Sequence, residues 1–390
     1  MKNVRVWIVS TLVISLLSVP LVGSAEVKID LAPEAKSAIL MDAATGTVLF
    51  EKDADKQLPP ASITKMMTML LVVEAIERKT LKWDDLVSIS EHAASMGGSQ
   101  IFLEPGEQMS VSDLFKGIAL ASGNDASVAI AEKVAGSEAL FVNKMNERAK
   151  QLGLKNTHFV NTNGLPVANH YSSARDIALI GMKLVQYPEV LKYTGQYQGY
   201  LRENTKEPFW LVNTNKLIRF YKGADGLKTG YTGEAKFCIA ATAKRGNVRV
   251  IAVVLGEPSS KIRNAETSKL MDYAFSQYAS KVLIKKGEAL GTIRISKGEP
   301  QSLKMKAMRD YSIFAQKDHI QANKYRYELR WKRNIVAPIK KGQILGHIHI
   351  YQGDKTVKKY AIQSPQSVQQ TNLWIDFKRL FRQLTMLTNH

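Results

Sequence analysis

Three short strings lie in one order along the 390-residue chain: Ser62-Ile63-Thr64-Lys65, Ser122-Gly123-Asn124 and Lys228-Thr229-Gly230. Together they hold residue types able to move an acyl group. A serine hydroxyl is a weak nucleophile until a neighbouring base takes its proton. A lysine amine serves as that base when burial or nearby positive charge lowers its pKa. Ser62 and Lys65 head the apolar stretch 66–76 and follow Pro59 and Pro60. This pattern predicts a helix starting at Ser62. Residues three apart share a helix face, which brings the Lys65 amine within reach of the Ser62 hydroxyl.

The other strings supply the remaining parts. Segment 111–121, with Ser112 and Asp113 at its head, and segment 126–134 both have helical periodicity. The intervening Ser122-Gly123-Asn124 therefore reads as a tight loop between helices. Ser122 is a candidate proton relay to the leaving group, and Asn124 a candidate to hold Lys65 or a substrate amide. Lys228 offers the charge that depresses Lys65. Segments 225–232, 237–243 and 248–255 read as three antiparallel strands joined by short turns. Gly230 has no side chain, so another backbone can approach and an extended substrate can pair along this strand edge. The backbone N–H groups of Ser62 and Tyr231 are candidate donors to an oxyanion. Each string alone is as common as any helix end, turn or hairpin. Their order, spacing and predicted context together match the trio of serine enzymes that use a lysine base.

Residues 37–278 resemble the low-molecular-weight penicillin-binding proteins of the D-alanyl-D-alanine carboxypeptidase type, serine peptidase family S11. The resemblance also covers Leu58-Pro59-Pro60-Ala61, Gly98-Ser99-Gln100, Thr157-His158-Phe159, Asn163-Gly164-Leu165 and His170-Tyr171-Ser172-Ser173-Ala174-Arg175-Asp176. It implies an α+β fold: a β-lactamase/transpeptidase-like catalytic domain whose antiparallel sheet is flanked by helices. It implies catalytic roles for Ser62, Lys65, Ser122, Asn124 and Lys228, and substrate-binding roles for Thr229, Gly230, Tyr231 and Arg263. The implied substrate is a peptidoglycan stem peptide ending in D-alanyl-D-alanine. It loses its last residue through an acyl-enzyme on Ser62, and β-lactams are the implied covalent inhibitors. No cofactor or metal is implied. Arg263 stands where the family places an arginine for the substrate carboxylate, helped by Thr229; a solvated charge at a helix start is the competing reading.

Two other functions compete. In class A β-lactamases the middle string reads S-D-N, and a loop glutamate activates the deacylating water. Here Gly123 replaces the aspartate, and no E-x-x-L-N pattern lies between the second and third strings. A β-lactam adduct should therefore turn over slowly. The other alternative is a non-catalytic cell-wall-binding protein on the same fold. The overall pattern resembles firmicute enzymes, including those of sporulation.

The chain ends set the expected compartment. Lys2 and Arg5 precede an apolar run, 6–22, and Gly23-Ser24-Ala25 offers small residues for cleavage, so 1–25 reads as a signal peptide. The enzyme is then exported to the outer face of the cytoplasmic membrane as a peripheral protein, with secretion as the alternative. The single cysteine, Cys238, lies in an apolar strand and reads as a small buried hydrophobe.

The net charge of +19 is uneven: residues 281–360 hold 19 lysines and arginines against 6 acids. This composition break separates a catalytic domain, 26–280, from a basic β-sandwich, 281–362, with predicted strands at 290–295, 311–315, 325–331 and 344–351. Export and the lack of an RNA-binding signature argue against nucleic acid; anionic wall polymers or a membrane surface fit better. His347 and His349 share a strand face without a third ligand, so they read as surface residues. Residues 363–390 read as a linker and an amphipathic helix. Leu373, Trp374, Phe377, Leu380, Phe381, Leu384 and Leu387 lie on one side, with Lys378, Arg379 and Arg382 on the other. Such a helix lies on a membrane rather than across it.

Overall fold

The computed structural model describes residues 30–203, 205–320 and 325–371. The expected signal peptide and the helix at 373–387 lie outside these residues. At the centre is a five-stranded antiparallel sheet. Strands β1 (Ser37–Asp42) and β2 (Val48–Lys52) form an antiparallel hairpin, while β3 (Ala224–Thr232), β4 (Lys236–Arg245) and β5 (Val248–Glu257) arrive much later in the chain. Their order is β2-β1-β5-β4-β3, which leaves β3 and its Lys228-Thr229-Gly230 string on the sheet edge.

The sheet is buried on both faces. Side chains alternate across a strand, so Ile251, Val253 and Leu255 of β5 enter one core while Val250, Ala252 and Val254 enter the other. Helix α6 (Ser260–Gln277) covers the second core with Leu270, Met271 and Ala274. The first core lies beneath α1 (Lys65–Glu77), α2 (Val111–Leu120), α3 (Asn124–Ala135), α4 (Glu138–Leu152) and α5 (Ala174–Leu184). Every residue of α1 from 65 to 75 is buried, as befits a helix that is apolar nearly all round. Removing one large aliphatic side chain there costs roughly 2–5 kcal/mol.

Serine caps fix where the site-bearing helices start. Ser110 caps α2, two residues before the expected head at Ser112 and Asp113; its hydroxyl accepts from the Asp113 N–H. Ser173 and Ser259 cap α5 and α6 in the same way. Each such cap is worth about 1 kcal/mol. Ser62 departs from the expected helix start: it lies in a 3₁₀ turn, Ala61–Thr64, and α1 begins at Lys65.

Strand Tyr278–Ile284 follows α6 directly and opens an all-β region. Its strands form three two-stranded antiparallel ribbons and one three-stranded sheet, Tyr325–Trp331, Ile344–Gln352 and Lys355–Gln363, around a common core. The arrangement is more divided than the expected two-sheet sandwich. It also runs past residue 362: Gln369–Gln370 pairs with Gly298–Glu299, and Val368 is 1% exposed in the core. The expected linker therefore starts no earlier than residue 371. Among the described residues no helix is long and apolar enough to cross a membrane, and no cluster of three or more potential metal ligands occurs.

Candidate active site

The three strings converge. The Lys65 amine donates to Ser62 Oγ at 2.9 Å, to Asn124 Oδ1 at 2.6 Å and to the Asn163 carbonyl at 2.7 Å. With Lys65 fully buried, desolvation followed by the positive charge of Lys228 holds its amine well below the ordinary lysine range. A lysine in this setting can be a base near neutral pH. Lys228 is itself buried, donates to the Thr229 carbonyl at 3.0 Å, and is lowered to about 7 by burial and then by Arg263.

The second string is held under strain. Ser122 has a φ of +65° between α2 and α3, a region costing a residue with a side chain roughly 1–2 kcal/mol. Its hydroxyl is buried without a hydrogen-bond partner among the described residues. A buried polar atom left unpaired at such a cost points to chemistry rather than folding. Asn124 is fixed at three points: its side chain accepts from Lys65 and donates to the Gly97 carbonyl, and its backbone N–H donates to the Ser99 carbonyl. The neighbouring Asp125 carboxylate accepts backbone N–H bonds from Ile101, Leu103 and Ala126. That carboxylate anchors the 99–103 loop against α3.

On β3, a Cβ at Gly230 would lie 3.0 Å from the Pro60 carbonyl and 3.1 Å from the Ser62 nitrogen. The absent side chain is what lets the strand press against the turn carrying Ser62. Thr229 Oγ1 donates to Thr214 Oγ1 at 2.7 Å, and Tyr231 is 56% exposed beside the strand edge. Arg263 lies in the first turn of α6 and is 5% exposed, with Nε and one terminal nitrogen donating to Asn264 Oδ1. The solvated-charge reading of Arg263 is thereby excluded. Cys238 is buried, and its thiol is pushed up to about 11 by burial, as a structural thiol should be.

A profile of the D-alanyl-D-alanine carboxypeptidase family, peptidase S11, matches residues 24–259. The chain belongs to this family. A second profile, the C-terminal domain of penicillin-binding protein 5, matches residues 278–370, the span of the all-β region. The chain is 47% identical over 378 residues to the D-alanyl-D-alanine carboxypeptidase DacF of Bacillus subtilis (strain 168), covering 95% of this chain and 97% of that one. Penicillin-binding protein 5 from Haemophilus influenzae superposes with a TM-score of 0.68 at 32% identity, over 86% of this chain and 98% of that one. Penicillin-binding protein D2 from Listeria monocytogenes, solved in its ampicillin-bound form, gives 0.56 at 34% identity, over 62% of this chain and 98% of that one. The resemblance carried by the three strings is thus correct for the family.

Two parts of the site had been quoted in the sequence only as family pattern. The Asn163 carbonyl is the third acceptor for Lys65, and the adjoining Gly164, at φ +89°, lies where a Cβ would be 1.8 Å from the Ala61 carbonyl. The Asn-Gly pair was the available signal, since such pairs mark turns with positive φ. His170 is the other: its Nε2 bonds Thr64 Oγ1 at 2.8 Å, tying the turn that carries Ser62 to the 164–171 loop. Burial lowers His170 to about 4, so it works there as a neutral ring.

Proposed function

We propose that this protein is an exported serine D-alanyl-D-alanine carboxypeptidase whose acyl-enzyme forms on Ser62. The observation that carries the reading is the Lys65 amine, buried, depressed and 2.9 Å from Ser62 Oγ. Lys65 takes the Ser62 proton as Oγ attacks the penultimate carbonyl. The resulting oxyanion is held by the N–H groups of Ser62 and Tyr231. Ser122 passes a proton to the departing D-alanine amine, with Lys228 as its neighbouring acid. Asn124 holds Lys65 in line and orients the substrate amide. Thr229 and Arg263 form the cationic end of the site that receives the terminal carboxylate. Water then hydrolyses the ester and restores Ser62.

β-Lactams enter the same path as acylating mimics. Asp125 is the acid nearest in sequence to the catalytic strings, but its carboxylate is occupied by backbone N–H bonds. That supports slow release of the adduct and weighs against a class A-like β-lactamase. A non-catalytic wall-binding protein would keep two buried lysines at a cost in stability without using them. The proposed organisation is a signal peptide at 1–25, a catalytic domain at 26–280, a basic β domain reaching about residue 371, and a membrane-surface helix beyond it. That helix places the enzyme on the outer face of the cytoplasmic membrane.

The test is direct: incubate the purified protein with a diacetyl-lysyl-D-alanyl-D-alanine peptide and assay free D-alanine. Release by the wild type and none by Ser62→Ala is expected. Equal release by both, or none by either, would contradict the proposal.

A further inference from the structure

The all-β region carries a charged sheet face that takes no part in catalysis. Side chains alternate between the two sides of the three-stranded sheet Tyr325–Trp331, Ile344–Gln352 and Lys355–Gln363. Leu329, Trp331, Ile348, Ile350, Tyr360 and Ile362 pack into the core on one side. On the other, the register sets Arg330, His347 and Ala361 in one row and Glu328, His349 and Lys359 in the next. Arg326 completes this outward face, with its guanidinium 4.3 Å from the centre of the Tyr351 ring.

The Arg326 and Arg330 side chains are 59% and 55% exposed, so their charge is open to a ligand. Glu328 holds Arg330 in place. One terminal nitrogen of Arg330 donates to Glu328 Oε2 at 3.0 Å and to the Tyr351 hydroxyl at 2.8 Å, and that hydroxyl donates to the same Oε2 at 3.1 Å. Lys332 and Lys359 add two exposed cations whose charge reaches His347. Against these four cations stand Glu328 and, in the adjoining turn, Asp354 at 3.8 Å from Arg326.

The two histidines register that excess. Their rings lie 6.3 Å apart, and both are held below the ordinary histidine range. Burial and then Lys359, His349 and Lys332 lower His347. Burial and then Arg330 and Lys359 lower His349, against the pull of Glu328. An anion seated on the face would reverse the charge effect, so its binding must take up protons and strengthen as pH falls. The two rows offer no leucine, isoleucine, valine or phenylalanine to a bilayer, which argues against insertion. A phosphodiester chain carries its charge in its backbone. Its paired non-bridging oxygens can accept from side chains on neighbouring strands, about 4.8 Å apart.

We infer that this sheet face is a docking surface for a linear polymer of polyol phosphates outside the cell. The inference rests on export and is independent of the acyl chemistry.

The test titrates the full-length protein with poly(glycerol phosphate) by calorimetry. In parallel, the protein is sedimented with phosphatidylglycerol vesicles, which present the same phosphodiester in a lipid headgroup. With about four phosphates engaged at a salt slope of about 0.7 each, affinity should fall about 50-fold between about 50 and 200 mM salt. The fourfold variant Arg326→Gln, Arg330→Gln, Lys332→Gln, Lys359→Gln should lose polymer binding. Its vesicle sedimentation, carried by the C-terminal helix, and its penicillin labelling should persist. The milder pair Lys332→Gln, Lys359→Gln should halve the salt slope, and stands in where the fourfold variant misfolds. Lowering the pH from 7.5 to 5.5 should tighten polymer binding roughly tenfold, one added charge contact per histidine. His347→Gln with His349→Gln should abolish that gain and leave binding at pH 7.5 unchanged. Polyglutamate, whose charges sit on side branches, should bind several-fold more weakly. No polymer binding by the wild type, an unchanged salt slope in the variants, a pH gain that survives without the histidines, or equal affinity for polyglutamate overturns the surface. Loss of vesicle sedimentation together with polymer binding makes the face a membrane contact and overturns it too. None of these outcomes touches the carboxypeptidase reading, which D-alanine release tests by itself.

Discussion

Replacing Lys228 with methionine should make the protein more stable and less active at the same time. The Lys228 side chain is buried, with its amine lowered from the ordinary 10.5 to about 7 by desolvation and then by Arg263. An unfolded chain keeps the ordinary value. Between pH 7 and 10.5 the unfolded state therefore holds a proton that the folded state has lost. Native stability rises with pH across that window, by about 1.4 kcal/mol per pH unit. Below pH 7 both states are protonated and the full penalty, about 5 kcal/mol, weighs on the fold. Above 10.5 it is gone. Methionine keeps the volume and removes the charge. Losing the hydrogen bond to the Thr229 carbonyl gives back about 1 kcal/mol.

Lys228→Met should therefore exceed the wild type by about 4 kcal/mol at pH 6–7 in urea denaturation at 25 °C, with the gap closing toward pH 10.5. Taking the difference between the two proteins cancels every other titration. Acylation by a fluorescent penicillin should fall, and its residual pH profile should move to higher pH, because the Lys228 charge that helps depress Lys65 is absent. A variant no more stable than the wild type at pH 7, or a gap that does not change with pH, would refute the reasoning.

Lys65→Arg keeps a cation but removes a group that can deprotonate, so penicillin acylation should drop by roughly 10²–10⁴-fold, measured by single-turnover labelling. Gly164→Ala would put a methyl 1.8 Å from the Ala61 carbonyl at a φ of +89°; the turn carrying Ser62 must move by more than an ångström, and acylation should fall by about 100-fold, with a lowered Tm by calorimetry. Truncation after Thr371 keeps Val368 and the last strand pair, so the shortened protein should release D-alanine from a soluble peptide at the wild-type rate while no longer sedimenting with anionic vesicles.

What the sequence disclosed was chiefly local. Ser62 and Lys65 meet because they are three residues apart, and β3, β4 and β5 follow one another as alternating apolar segments with short turns. Contacts over long separations were out of reach. The Asn163 carbonyl is 98 residues from Lys65, and no periodicity links them. Arg263 could be placed by resemblance, but its burial depends on how α6 packs against β4 and β5. The end of the β domain was missed because Val368 is one apolar residue in a polar segment, 364–371, where pattern gives no strand. Ser122 shows the opposite case: its strained backbone and unpaired hydroxyl follow no local rule, and such departures concentrate where function, not folding, has chosen the residue.

The central claim is that one serine, Ser62, carries the acyl group. Trapping the protein with penicillin and mapping the labelled peptide by mass spectrometry tests it most directly. A single adduct is expected, on Ser62, abolished in Ser62→Ala and formed only slowly in Lys65→Arg. An adduct on Ser122 or any other residue, or unchanged labelling of Ser62→Ala, would contradict it.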